Sequence, residues 1–249
     1  MTQSETVNQI NAFGGPQLLN TQSFPEIANL QSVNIVQDVG CIDCLFPICT
    51  QNRYNIINPL NNQKLYDFNE ESGIIERLCC FGYRGFVMKI NNAGGSSVYV
   101  TIEGKKGCSV PCCMGFGCGH PSIKASFLSP QNQYFGSAKM DYNSCVCSLC
   151  KHIILIRDAN NNSRYHIKPN CYCIGCSTSC CAKCCDILYN IFEENQVVGT
   201  VSKLSCSGFF TFCPKGDNYT INFPPNANPE EKFMIIIGTI LIDYLSFPM

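Results

Sequence analysis

Cys171, Cys173, Cys176, Cys180, Cys181, Cys184 and Cys185 form the densest run of chemistry-bearing side chains in the chain. The CxxC spacings Cys173 to Cys176 and Cys181 to Cys184 suit a tetrahedral thiolate zinc site, and Cys147 with Cys150 adds a further pair. With 21 Cys among 249 residues some such spacings arise by chance, so zinc binding and free thiols both stand as readings. A redox role lacks an evident basic activator. Cys112 and Cys113 lie in a stretch containing Gly and Pro, with Lys105 and Lys106 just upstream to meet anionic headgroups. That pattern suits acylation, because two acyl chains, or one chain plus basic residues, anchor a protein that one chain holds only reversibly. A buried or metal-bound thiol pair is the alternative there.

The remaining reactive side chains do not assemble into a catalytic pattern. His120, His152 and His166 are scattered, the latter two at the strand ends of expected hairpins. No Ser, His and Asp constellation, no phosphate-cradling Gly loop and no pair of catalytic carboxylates is spaced for work, so the expectation is a protein that is not an enzyme. Charged residues make up 14% of the chain with a net charge of −1, and no Lys and Arg run is long enough to form a nucleic-acid patch. The opening MTQSETVNQINAFGGPQLL has neither the basic start nor the apolar centre of a signal peptide, so the expectation is that the thiols meet a reducing compartment. An odd number of thiols also argues against complete internal pairing.

These side chains need a scaffold, and its organising stretch is Phe233 to Phe247, FMIIIGTILIDYLSF. The apolar residues Phe233 to Ile237 cover every side of a helix, and Ile240, Leu241, Ile242 and Leu245 repeat the cover, so the helix must be enclosed. Pro229, Glu230 and Glu231 mark its start. Such a stretch spans about 22 Å against about 30 Å of bilayer hydrocarbon. Asp243 also interrupts it, so burial in the protein's own core is favoured over a short C-terminal membrane span.

Upstream, apolar strands flank turns of Asn, Gly and Gln. RYNIINPLNNQKLYDF, FVMKINNAGGSSVYVTIEG, IKASFLSPQNQYFGSAKM, HIILIRDANNNSRYHI and DILYNIFEENQVVGTVSKL read as five hairpins joined by Cys-rich links. Tyr219 to Phe223 reads as a further half-buried strand after a turn at Asp217 and Asn218. Residues 1–40, rich in Asn, Gln and Ser, read as a flexible arm, and residues 41–249 as one β domain around a central helix at 230–247. Ten or more strands beside one all-apolar helix predict a mainly β fold, a closed antiparallel barrel that the helix threads, since closure removes sheet edges and the interior encloses the helix.

The order and spacing of RYNIINPLNNQKLYDFNEE before Cys79 and Cys80, CSVPCC after IEGKKG, CCAKCCDILYNI, VVGTVSK, DNYTINFP and FMIIIGTILIDYLSF resemble the phospholipid scramblase family over residues 50–248. The resemblance implies a tubby-like closed barrel of about 12 strands around a buried C-terminal helix. It implies energy-independent, calcium-dependent movement of phospholipids between leaflets. It also implies attachment to the cytosolic face of a membrane by palmitate in a Cys-rich segment, here Cys108, Cys112 and Cys113. The family's calcium segment carries carboxylates at positions filled here by Lys215, Asp217 and Asn226. Asp217 with the oxygens of Asn218 and Asn226 leaves a weakened site for an ion that takes six to eight oxygens. The expected function is therefore a membrane-associated scramblase-like protein that moves or binds phospholipids, with calcium control in question and hairpin loops open to protein partners. Two rivals are a membrane-tethered scaffold without lipid translocation and a zinc or redox protein built on the Cys clusters.

Overall fold

A computed structural model describes residues 24–38, 51–71, 86–93, 97–103, 124–128, 134–141, 153–170, 187–204 and 218–246. The order is α1 (Pro25–Ala28), β1 (Ser32–Gln37), β2 (Arg53–Ile57), β3 (Lys64–Glu71), β4 (Phe86–Asn92), β5 (Ser97–Glu103) and β6 (Lys124–Leu128). There follow β7 (Tyr134–Asp141), β8 (Ile153–Asp158), β9 (Ser163–Pro169), β10 (Ile187–Glu193), β11 (Gln196–Leu204), β12 (Asn218–Asn222) and a second helix, α2 (Pro229–Ser246). The five expected hairpins are β2–β3, β4–β5, β6–β7, β8–β9 and β10–β11, all antiparallel. Each strand also pairs with its other neighbour in sequence, and β1 bonds to both β2 and β12, so the twelve strands form a closed barrel.

Period-2 alternation sets the inner wall. Val33 and Ile35 of β1, Tyr54 and Ile56 of β2, Ile154 and Ile156 of β8, and Tyr219 and Ile221 of β12 are buried, while their chain neighbours lie less buried on the outer face in β1, β2 and β12. Three hairpin turns place a residue in the left-handed region: Asn62 (φ 55°), Asn161 (φ 66°) and Glu194 (φ 53°). Asn tolerates that conformation through its short polar side chain.

α2 fills the interior. Every residue from Glu231 to Asp243 is buried. Two glycines let helix and wall approach. A Cβ on Gly136 in β7, at φ +157°, would overlap the Met234 side chain and the Arg157 carbonyl. A Cβ on Gly238 of α2 would lie 3.2 Å from Ile167 and 3.4 Å from Ile154 and Ile156. The expected central helix at 230–247 is thus observed at Pro229–Ser246, enclosed by protein. No helix among the described residues is long and apolar enough to cross a membrane.

The arm expected over residues 1–40 is corrected for 24–38. Those residues hold α1 and β1, and β1 is the strand that closes the ring between β2 and β12. Burial of Phe24, Ile27, Val33 and Ile35 supplies the apolar stabilisation that a solvated arm would lack.

Candidate functional site

Apart from Thr239, whose hydroxyl donates to the Ile235 carbonyl at 2.9 Å, the buried polar side chains of α2 lie toward its two ends. At its start, Asn228 and Glu231 cap each other: Asn228 Oδ1 accepts from the Glu231 amide at 2.8 Å, and Glu231 Oε2 accepts from the Asn228 amide at 3.0 Å. Glu231 also accepts from Arg164 Nε at 2.8 Å and from the Tyr165 hydroxyl at 3.3 Å. Lys232 donates to the carbonyls of Ala28 at 2.7 Å, Leu30 at 2.9 Å and Ile27 at 3.4 Å, so one buried ammonium gathers three carbonyls at and just beyond the C-terminus of α1. Phe24 stacks on Phe233 with ring centroids 3.9 Å apart, and Glu26 accepts from the Tyr66 hydroxyl at 2.7 Å and from Asn92 at 3.1 Å.

Burial governs titration at this end. It pushes the Tyr66 and Tyr165 phenols well above the ordinary tyrosine range, helped by Glu26 and Glu231 respectively. It lowers the Lys232 ammonium below its ordinary value.

At the other end of α2 the carboxylate of Asp243, 3% exposed, accepts from the Tyr219 hydroxyl at 2.6 Å and the Tyr54 hydroxyl at 2.7 Å. These two bonds satisfy oxygens of a carboxyl group buried in the last turns of the helix, where the dipole gives it no help. Nearby strand ends carry more polar groups. Glu70 Oε2 accepts from the side chain of Asn52 at 2.7 Å and from its amide at 3.1 Å, and Gln37 donates to Asn52 at 3.4 Å. Lys203, 4% exposed, lies 5.8 Å from the Tyr219 ring centroid. Glu70, Gln37 and Lys203 are buried and Asn52 half-buried, and the bonds among Gln37, Asn52 and Glu70 tie the ends of β1, β2 and β3 together.

The residues that sequence reasoning singled out fall differently. Cys108, Cys112 and Cys113, the cluster Cys171, Cys173, Cys176, Cys180, Cys181, Cys184 and Cys185, and Asp217 lie outside the described residues. Asn218 begins β12 and Asn226 lies in the turn beyond that strand's far end, so the intervening strand holds them apart by its own length, about 13 Å from Asn218 to Asn222. These two side chains do not converge on one cation. Among the described residues no group of three or more His, Cys, Asp and Glu is placed to hold a metal. His166 lies within β9, with Nε2 3.0 Å from Ser163 Oγ.

Sequence reasoning missed Tyr54, Tyr219, Glu26, Lys232, Gln37, Asn52 and Glu70. The signal for two of them was Asp243 itself, a charge in an otherwise apolar buried helix, which requires donors at that depth.

The strand order also sorts the chain by end. Because every neighbouring pair is antiparallel, the connections after β1, β3, β5, β7, β9 and β11 depart from one rim, and the hairpin turns and the turn into α2 from the other. All 21 Cys belong to the first set of connections and none to the second. Asp243 lies toward the Cys rim, since Tyr54 and Tyr219 stand near the starts of β2 and β12, and Glu231 lies toward the hairpin rim.

Twelve antiparallel strands surround an apolar C-terminal helix, and every Cys falls in a connection of the first set. The family model described as Scramblase matches residues 12–248. The chain belongs to the scramblase family. It is 28% identical over 222 residues to phospholipid scramblase 2 of Homo sapiens, covering 89% of this chain and 69% of that one. It is 23% identical over 226 residues to phospholipid scramblase 4 of Mus musculus and 27% over 225 residues to phospholipid scramblase 1 of Mus musculus. Each of these matches covers 89% of this chain, and they span 63% and 62% of the two relatives. No solved structure matches the chain.

Proposed function

We propose that the protein acts on phospholipid membranes as a scramblase-like protein, moving or binding phospholipids without covalent catalysis, on a barrel of the tubby-like kind. The observation that carries this reading is the family match over residues 12–248, which includes every strand of the barrel and all of α2. Because α2 fills the interior, a headgroup has no route through the barrel axis. Lipid handling therefore falls to the outer surface and the rims. Palmitate on Cys108, Cys112 and Cys113 would hold the Cys rim at the cytosolic face of the bilayer, with Lys105 and Lys106 adding attraction to anionic headgroups. Calcium control is the weaker part of the proposal, because Lys215 and Asn226 replace carboxylates in the corresponding segment. Neither the described residues nor the relatives favour the scaffold reading or the zinc and redox reading.

The test is a scrambling assay with purified full-length protein in liposomes carrying a headgroup-labelled phospholipid, with and without calcium. The reading expects label exchange between leaflets above that of protein-free liposomes, with at most a small calcium increment. Exchange indistinguishable from protein-free liposomes, in parallel with no retention of phospholipid by the protein, would overturn it.

A further inference from the structure

We propose that the outer wall at the Cys-rim ends of β10 and β11, centred on Leu188 and Leu204, is a bilayer-contacting surface that engages anionic phospholipid without any acyl chain. The inference rests on the membrane reading above and adds which face of the barrel meets the lipid. Leu188 is 37% exposed and Leu204 42% exposed, although both belong to strands whose alternate residues are buried. Tyr189, Ile191, Val201 and Lys203 point inward, which turns Leu188 and Leu204 outward. Leu188 pairs with Ser202, and Leu204 stands two residues further along the same strand on the same face. The two leucines are thus diagonal neighbours, about 7–8 Å apart, in a position where a solvated strand face ordinarily carries polar side chains.

Charge selects the partner. The six connections that leave the Cys rim contain seven Lys and Arg with five Asp and Glu. The hairpin turns and the turn into α2 at the opposite rim contain no Lys or Arg and one Glu, Glu194. Of the basic residues at strand ends on the hairpin rim, Lys64 is ion-paired with Asp67 and Arg164 with Glu193 and Glu231, so the excess of basic over acidic residues in the connections favours the Cys rim for an anionic surface. Beyond Leu204 the sequence passes through Ser205, Cys206, Ser207 and Gly208 to Phe209, Phe210 and Phe212, and then to the basic Lys215. The hairpin rim does expose Leu60 at 88% and Val197 at 54%, but Leu60 sits in a turn of Asn, Pro and Gln, and Val197 follows Glu193 and Glu194. These two residues make the control for the opposite orientation.

The chain has no Trp, so a single introduced one reports its own surroundings. Full-length, unacylated protein is mixed with vesicles of phosphatidylcholine alone and of phosphatidylcholine with phosphatidylserine. Leu204→Trp is expected to shift its emission to the blue and to be quenched by brominated lipid in the anionic vesicles, and Leu60→Trp is expected to do neither. The paired change L188D/L204D should lower partitioning onto anionic vesicles about tenfold or more, while L60D/V197D leaves it within about twofold. Both residues are surface positions, and an unchanged circular dichroism spectrum confirms that each variant folds. A blue shift at position 60 with none at position 204, or partitioning that L188D/L204D leaves intact, would overturn the proposal. Unaltered protein that fails to partition onto either vesicle would also overturn it, while leaving acyl-tethered lipid scrambling standing for its own assay.

Discussion

The two ends of α2 are fixed by opposite chemistries. At the hairpin rim the helix begins in an aromatic and basic setting: Phe24 stacked on Phe233, Lys232 gathering three carbonyls, and Glu231 closing the capping box while holding Arg164. At the Cys rim it ends on a buried carboxylate between two tyrosines. The first end shares its load among many groups, several of them partly solvated, so the loss of one is cushioned by the rest. The second centres its contact with α2 on Asp243, whose removal takes a hydrogen-bond partner from two buried hydroxyls at once. The difference predicts that the barrel is brittle at the Cys rim and tolerant at the hairpin rim, except where backbone and helix touch directly.

That exception should give the largest effect. Gly136→Val drives a side chain into the Arg157 carbonyl and Met234, where no rotamer escapes, and should cost about 3 kcal/mol or more in urea denaturation. Next comes Asp243→Ala, which removes the acceptor of the Tyr54 and Tyr219 hydroxyls and leaves a cavity in the core, and should cost about 3 kcal/mol. Restoring an apolar fit with the triple variant D243L/Y54F/Y219F should recover much of that loss, which a purely steric role for Asp243 would not predict.

Lys232→Met at the opposite end should cost less, about 1–2 kcal/mol, because α1 keeps the Phe24 stack and the Glu26 bonds. A loss equal to that of Asp243→Ala would break the contrast between the ends. The smallest effect is one of pH. Tyr66 and Tyr165 have raised folded values, so their contribution is present below the unfolded tyrosine value of about 10 and is lost as pH rises beyond it. Lys232, lowered in the folded state, acts with the opposite sign between its folded value and about 10.4. Thermal stability should therefore fall as pH rises beyond about 10, and Tyr66→Phe should flatten that decline. A decline unchanged by Tyr66→Phe would remove Tyr66 from the account.

Some of this was legible in the amino-acid sequence and some could not be. The hairpins were legible because alternation and turn residues are local, as in RYNIINPLNNQKLYDF, and α2 was legible because its apolar cover exceeds any single face. β1 was hidden. SVNIVQ has only Val33, Ile35 and Val36 among Asn, Gln and Ser, and one of its two partners, β12, lies at the far end of the chain. The Asp243 partners were hidden by separation, 189 residues for Tyr54 and 24 for Tyr219. Lys232 was hidden because it binds backbone carbonyls, which carry no residue signature. The cysteines were conspicuous from the start, yet their assignment to one rim needs the strand order, which no spacing encodes.

The central claim is that α2 is the core of a closed protein interior and stays there when the protein meets lipid. Hydrogen exchange read by mass spectrometry, on full-length protein free and bound to anionic vesicles, tests it most directly. The amides of residues 233–243 should be among the slowest to exchange in free protein and unchanged on vesicles, with new protection confined to the ends of β10 and β11 around Leu188 and Leu204. Fast exchange across 233–243 in free protein, with protection appearing only on vesicles, would show that the bilayer rather than the barrel encloses the helix.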